Sequence, residues 1–107
     1  MWDNFTAKER EDPIRKHLTE VDVVLQLAEE AAELAFAAVK WARISIGRNP
    51  TPLKAEEAQI NLVEEIGDVL NCVDVLGIPF GKDSYVESSR KGKMSRWRSR
   101  LRDRYER

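Results

Sequence analysis

Six carboxylates stand in two short runs of the chain: Glu29, Glu30 and Glu33 in "EEAAE", and Glu64, Glu65 and Asp68 in "EEIGD". Each run holds a pair spaced three apart, Glu30 with Glu33 and Glu65 with Asp68. Residues three apart on an α-helix share one face, so each pair offers oxygens that can converge on a single point. Two such helices packed antiparallel would bring four carboxylates together near their middles. Like charges in that position repel, and their desolvation costs several kcal/mol per ion unless a cation compensates them. An all-oxygen cluster suits a hard divalent cation, Mg²⁺ before Ca²⁺ or Mn²⁺. The plain alternative is that Glu is a good helix former and that Glu-Glu doublets are common on solvated faces. Two features weigh against it. The first run lies among alanines with little polar surface around it, and Gly67, which costs about 1 kcal/mol relative to Ala in mid-helix, stands between Glu65 and Asp68 and implies close approach by another backbone or a ligand.

The elements that must position these acids are helices. Thr19 followed by Asp22 is a capping-box start, and no Gly or Pro interrupts the chain from Glu20 to Ile46, after which Gly47 and Pro50 stop it. Apolar residues lie on nearly every side of this helix, the mark of an element buried by more than one neighbour. At 1.5 Å per residue it would be about 40 Å long, more than so small a domain covers by itself, so oligomerisation is expected. In "RNPTP", Thr51 is placed to be an N-cap with Pro52 at the first helical position. The second helix should run to Leu76, before Gly77 and Pro79, with a core stripe of Leu62, Ile66, Val69, Leu70, Val73 and Leu76. Ser84 with Glu87 forms another capping-box pattern, and Met94, Trp97, Leu101 and Tyr105 recur at helical intervals beyond it, Gly92 being the point at which this last helix can divide. Strand-like alternation is absent from the sequence. The expected fold is a single all-α domain over 1–107: an N-terminal arm (1–18), an antiparallel long-helix hairpin (19–77) and a basic amphipathic C-terminal helix (84–107), completed as a four-helix-type bundle by oligomerisation into a homodimer or homotetramer.

The net charge of −1 conceals a polarised chain. Residues 90–107 carry nine Lys or Arg and two acids, net +7, against net −8 for residues 1–89. An acidic body and a basic tail either meet each other or hold something charged between them. One cysteine, Cys72, excludes a disulfide framework and a thiolate metal cluster and suits a reducing compartment; it reads as a small buried apolar residue. The first residues, "MWDNFTAKEREDP", hold no apolar leader-like core, and no run reaches membrane-spanning length, so a cytoplasmic protein is expected.

The two acidic motifs on antiparallel helices resemble the signature of the MazG-like all-α nucleoside triphosphate pyrophosphohydrolases, a family that includes dimeric dUTPases and phosphoribosyl-ATP pyrophosphohydrolases. The similarity spans roughly residues 20–76, and the basic "KMSRWRSRL" looks like the terminal helix of compact, phage-type members. The spacer from Glu33 to Glu65 is a little longer than the family's usual range, a departure assigned to the turn "GRNPTP". The resemblance implies hydrolysis between the α and β phosphates of a nucleoside triphosphate, a deoxy or noncanonical one, giving the monophosphate and pyrophosphate. It also implies Mg²⁺ held by Glu30, Glu33, Glu65 and Asp68, with Mn²⁺ a substitute. A triphosphate is itself anionic, so an acidic site takes it through metal, which polarises the phosphoryl group and orients or deprotonates water. Glu29 and Glu64, each beside a motif acid, are alternative bases for the attacking water, and the sequence does not choose between them. Asn71, one turn beyond Asp68, is within reach of metal or phosphate, and Lys93, Arg96 and Arg100 share a side of the last helix from which they could neutralise phosphates. Trp2, Phe5 and Trp41 are the aromatics available to stack on a base, although aromatics at helical spacing more commonly build core or interface. His17 has no partner motif.

A di-iron carboxylate bundle would need Glu-x-x-His pairs, and a lone histidine excludes it. The competing class is a non-enzymatic helical module whose basic C-terminal helix contacts nucleic acid or an acidic partner. That reading accounts for the tail and not for the buried acids, so nucleic acid and membrane are not the expected partners.

Overall fold

The computed structural model describes residues 2–47 and 53–106. Two 3₁₀ turns (Trp2–Asn4 and Glu9–Glu11) precede α1 (Pro13–His17), α2 (Glu20–Ile46), α3 (Ala55–Val75) and α4 (Tyr85–Tyr105). The described residues contain no strand, and none of their helices is long and apolar enough to cross a membrane. The architecture is all-α.

The caps explain the boundaries of α2. The Thr19 hydroxyl accepts from the Asp22 backbone N–H while the Asp22 carboxylate accepts from the Thr19 N–H, so both halves of the capping box are made. At the other end Gly47 takes the left-handed conformation, φ +68°, that ends a helix without a Cβ penalty. Thr51 and Pro52, expected to open the second helix, lie outside the described residues; within them α3 begins at Ala55, and Lys54 before it supplies no side-chain cap. Its far end closes with Ile78 N–H donating to Val73 O and Gly77 N–H to Asp74 O, the paired bonds of a Schellman motif.

α2 and α3 pack along each other as a hairpin. The fully buried residues are Val23 and Ala37 on α2, Ala58 and Cys72 on α3, and Leu76 just past its end. Seven residues separate Val23 from Glu30 and Glu30 from Ala37, and the same interval separates Ala58 from Glu65 and Glu65 from Cys72. Seven residues are nearly two turns, so each acid lies on the buried stripe of its helix, midway between two core residues. The small Ala37 and Ala58 side chains let the helices approach closely. The opposite side of α2 (Val21, Leu25, Phe36, Val39) and the outer side of α3 (Ile60, Val63, Ile66, Leu70) are exposed. The neighbours expected all round α2 are therefore reduced to one within the chain. Gly67 belongs to that outer side: a Cβ added to it would meet nothing within 4 Å, so the close approach expected there is made by none of the described residues.

The N-terminal arm, which turns through α1, docks on the end of the hairpin. The Arg15 guanidinium donates to the carbonyls of Val75 and Asp74 at the C-terminus of α3, where a cation also complements the helix dipole. The same group sits 4.1 Å above the Phe5 ring, against which Trp2 is tilted. The Phe5 ring covers Gly77, whose φ is +75° and whose missing Cβ would lie 2.5 Å from ring carbons. Gly77→Ala is expected to cost about 1–2 kcal/mol for the left-handed backbone alone, and more for the displaced ring. Gly47→Ala carries the backbone cost with open space around the new methyl. Thermal denaturation of the two variants, followed by far-UV circular dichroism, should show the larger fall in Tm for Gly77→Ala.

α4 runs unbroken through Gly92, because one glycine costs only about 1 kcal/mol among strong helix formers. Ser84 accepts from the Glu87 N–H, but the Glu87 carboxylate pairs with Arg90 instead of returning to the cap, so the expected box is half made. α4 packs over no extended stretch against any other element. Trp97, Leu101 and Tyr105 on its apolar stripe are exposed. The molecule is accordingly open, 52 × 41 × 19 Å with a radius of gyration of 18.1 Å, where a compact chain of this length has about 13 Å.

Candidate metal centre

The hairpin brings three of the four expected acids together. One oxygen each from Glu30, Glu33 and Glu65 lie within 4.8 Å of one another. Glu30 and Glu65 reach this point from the buried stripes of α2 and α3, while Glu33, one turn past Glu30, closes the group from an exposed position. Gln26, one turn before Glu30, donates through its amide to one Glu30 oxygen at 2.8 Å and so fixes the carboxylate. The other oxygen, Glu30 Oε2, is buried without a hydrogen-bond partner, and so is Glu65 Oε2. A buried acceptor without a donor is costly in proportion to its charge, and two of them beside a third carboxylate make a donor set that fits a hard divalent cation. Glu30 and then Glu65 hold the Glu33 carboxyl above its usual range, by repulsion first and by its hydrogen bonds to them in the protonated form.

Asp68 is not a member of this triad. It borders an adjoining groove of about 310 Å³ between α2 and α3, whose other polar borders are Gln26, Glu30 and Asn71 and whose apolar wall includes Ile14, Leu18 and Val75. A step of three residues rotates a side chain by about 60° away from the preceding one, and that carries Asp68 from the buried stripe of Glu65 to its edge. Asn71 borders the same groove as Glu30 and Asp68. Lys93, Arg96 and Arg100 are elsewhere: the cleft they border is formed by α4 residues alone, with Met94 and Trp97. Within one chain they do not face the acids. Trp2 and Phe5 are committed to docking the arm, and Trp41 borders neither the groove nor the triad.

The sequence reading passed over Gln26 and the groove position of Cys72. Gln26 was open to detection as the residue four before Glu30, the spacing at which a helical amide meets a carboxylate. Cys72, seven residues beyond Glu65, is buried in the groove wall, and burial first, then Glu30 and Asp68, push its thiol up. It is an inert packing residue beside the acids.

Compared with models of known protein families, with curated proteins and with solved structures, the chain matches none.

Proposed function

We propose that the protein is a Mg²⁺-dependent nucleoside triphosphate pyrophosphohydrolase of the MazG-like all-α kind, acting on a deoxy or noncanonical nucleotide as a cytoplasmic homo-oligomer. The observation that carries this reading is the pair of unpartnered, buried carboxylate oxygens of Glu30 and Glu65, one from each helix, with Glu33 beside them. Glu30, Glu33 and Glu65 would hold the cation, and Asp68 would join them from the edge of the groove. When bound, Mg²⁺ supplies charge neutralisation and Lewis-acid polarisation of the phosphate oxygens. The chain's own part is orientation and exclusion of water: Gln26 fixes Glu30, the apolar groove wall receives an uncharged portion of the substrate, and Asn71 offers an amide donor at its rim. Glu29 or Glu64, each adjacent in sequence to a ligand of the cation, would accept the proton of the attacking water.

Surface area supports the oligomer. The chain exposes 8713 Å², where a folded monomer of its mass exposes about 6,100 Å². The excess is on the order of what an obligate interface takes from each partner, and exposed apolar side chains stand on the outward sides of α2 and α3 and along α4.

A panel of ribo-, deoxy- and noncanonical nucleoside triphosphates with Mg²⁺, read by pyrophosphate release and by monophosphate formation, tests the activity. Hydrolysis of at least one nucleotide, stopped by EDTA, is the expected result. No hydrolysis anywhere in the panel, together with no Mg²⁺-dependent rise in Tm, would overturn the reading.

A further inference from the structure

We infer that α4 is an exchanged arm, which leaves its own hairpin and docks on the hairpin of a second copy of this chain, bringing Lys93, Arg96 and Arg100 to the partner's acids. The inference rests on the proposed oligomer and deepens it by assigning the phosphate-neutralising cations to the other subunit. Four observations carry it. α4 packs over no extended stretch against any other described element, yet Met94, Trp97, Leu101 and Tyr105 form an apolar stripe at helical spacing. The four give an otherwise strongly polar helix one narrow apolar face that a second surface can cover. Helical spacing also sets Lys93, Arg96 and Arg100 along one flank of the stripe, and these residues share one cleft with Met94 and Trp97. Whatever covers the stripe must therefore be apolar with an acidic border. The hairpin is such a surface: residues 19–77 carry eleven acids and four bases, net −7, against the +7 of residues 90–107, and its exposed apolar side chains include Val21, Leu25, Phe36, Ile60 and Val63. Finally, each chain leaves exposed about 2,600 Å² more than a compact monomer of its mass, well above the roughly 800 Å² per partner of a standard interface and, counted over two chains, at the upper end of the obligate range.

The exchange makes each site composite. Acids on α2 and α3 of one subunit hold the cation, and the basic flank of the partner's α4 meets the phosphates that the cation alone leaves unbalanced.

Cross-linking of the full chain tests the geometry without reference to activity. In a Cys72→Ser background, Glu29→Cys is introduced in one tagged copy and Arg100→Cys in a second copy with a tag of different mass. The copies are mixed, allowed to exchange and treated with a short bis-maleimide. A covalent dimer bearing both tags is expected, and a single chain carrying both cysteines should give linked dimers in preference to internally linked monomers. Light scattering should show a dimer or a larger even assembly, weakened at least tenfold by Lys93→Glu with Arg96→Glu. Internally linked monomers, or a dimer that gives no mixed-tag product, would overturn the exchange. A monomer that binds an oligonucleotide tightly with steep salt dependence would overturn it in favour of a nucleic-acid arm. If nucleotides are hydrolysed, mixing Glu65→Gln with Lys93→Ala/Arg96→Ala should restore pyrophosphate release in the mixed dimer, which has one site with intact acids and an intact facing helix. Because the cross-link needs no substrate, absence of hydrolysis and absence of exchange are separate results.

Discussion

Glu65→Gln is expected to abolish Mg²⁺-dependent pyrophosphate release while leaving the helices intact. The substitution keeps the volume of the side chain, so the layer between Ala58 and Cys72 stays filled and no cavity opens. It removes a buried charge that has no hydrogen-bond partner at Oε2. Loss of a residue that merely supports a metal ligand typically lowers metal affinity about 10–100-fold, and loss of the ligand itself should exceed that. In the absence of metal the variant should be at least as stable as the unmodified protein. The two results together separate a metal site from a structural role, since a structural carboxylate would lower stability when replaced. Circular dichroism, thermal denaturation with and without Mg²⁺, and a pyrophosphate assay read all three quantities. An active Glu65→Gln protein would refute the proposed site.

Metal removal and pH should act on the same triad with opposite signs. A cation present at a hundred times its dissociation constant adds about 2.7 kcal/mol to the folded state, which for a domain of this size raises Tm by on the order of 10 °C. EDTA should reverse the gain. Without metal, the raised Glu33 carboxyl makes the folded chain hold a proton that the unfolded chain has released. Its contribution to stability is therefore fully present below the ordinary carboxylate range and is lost as pH rises through the raised folded value. Asp22 behaves conversely, because its bonds to Thr19 lower its carboxyl, so acid weakens the start of α2. The informative quantity is thus the difference between the unmodified protein and Glu33→Gln from about pH 4.5 to 7, with Mg²⁺ omitted. The variant should gain in relative stability as pH rises, and it should lose most of the Mg²⁺-induced shift in Tm. A pH-independent difference would show that the three oxygens do not share a proton economy.

Local signals made the hairpin readable. Thr19 with Asp22 fixed the start of α2, Gly47 its end and Gly77 the end of α3, each through a cap whose chemistry involves only a few neighbouring residues. Glu30, Glu33 and Glu65 were readable for the same reason, since their spacing puts them on facing stripes once the hairpin is granted. Contacts between residues distant in sequence left no such trace. Arg15 reaches carbonyls 59 and 60 residues away, and the Phe5 ring lies over Gly77, with nothing in the arm's own pattern to announce either contact. Asp68 was expected as a fourth member beside the three glutamates because spacing gives a face only to within half a turn, whereas a ligand set is decided over a few ångströms. Glu87 fits a capping box by position, but Arg90 offers it two charge-assisted bonds, which the cap N–H cannot match. Gly92 carries the signal of a break without the strength to enforce one. The separation of Lys93 and Arg96 from the acids was unreadable for a further reason: α4 packs over no extended stretch against any other described element.

The clasp of Phe5, Arg15 and Gly77 sits where α3 hands the chain on towards α4, and this makes it a fulcrum. α4 has 21 residues and is about 31 Å long, so a rotation of roughly 10° at its base moves its tip by about 5 Å, the pitch of one helical turn. A small error in how a phenyl ring seats over a glycine would be magnified into a full turn of misregister at the far end of the arm. Substitutions in the first eighteen residues should accordingly disturb what α4 touches well before they disturb the hairpin that holds the acids.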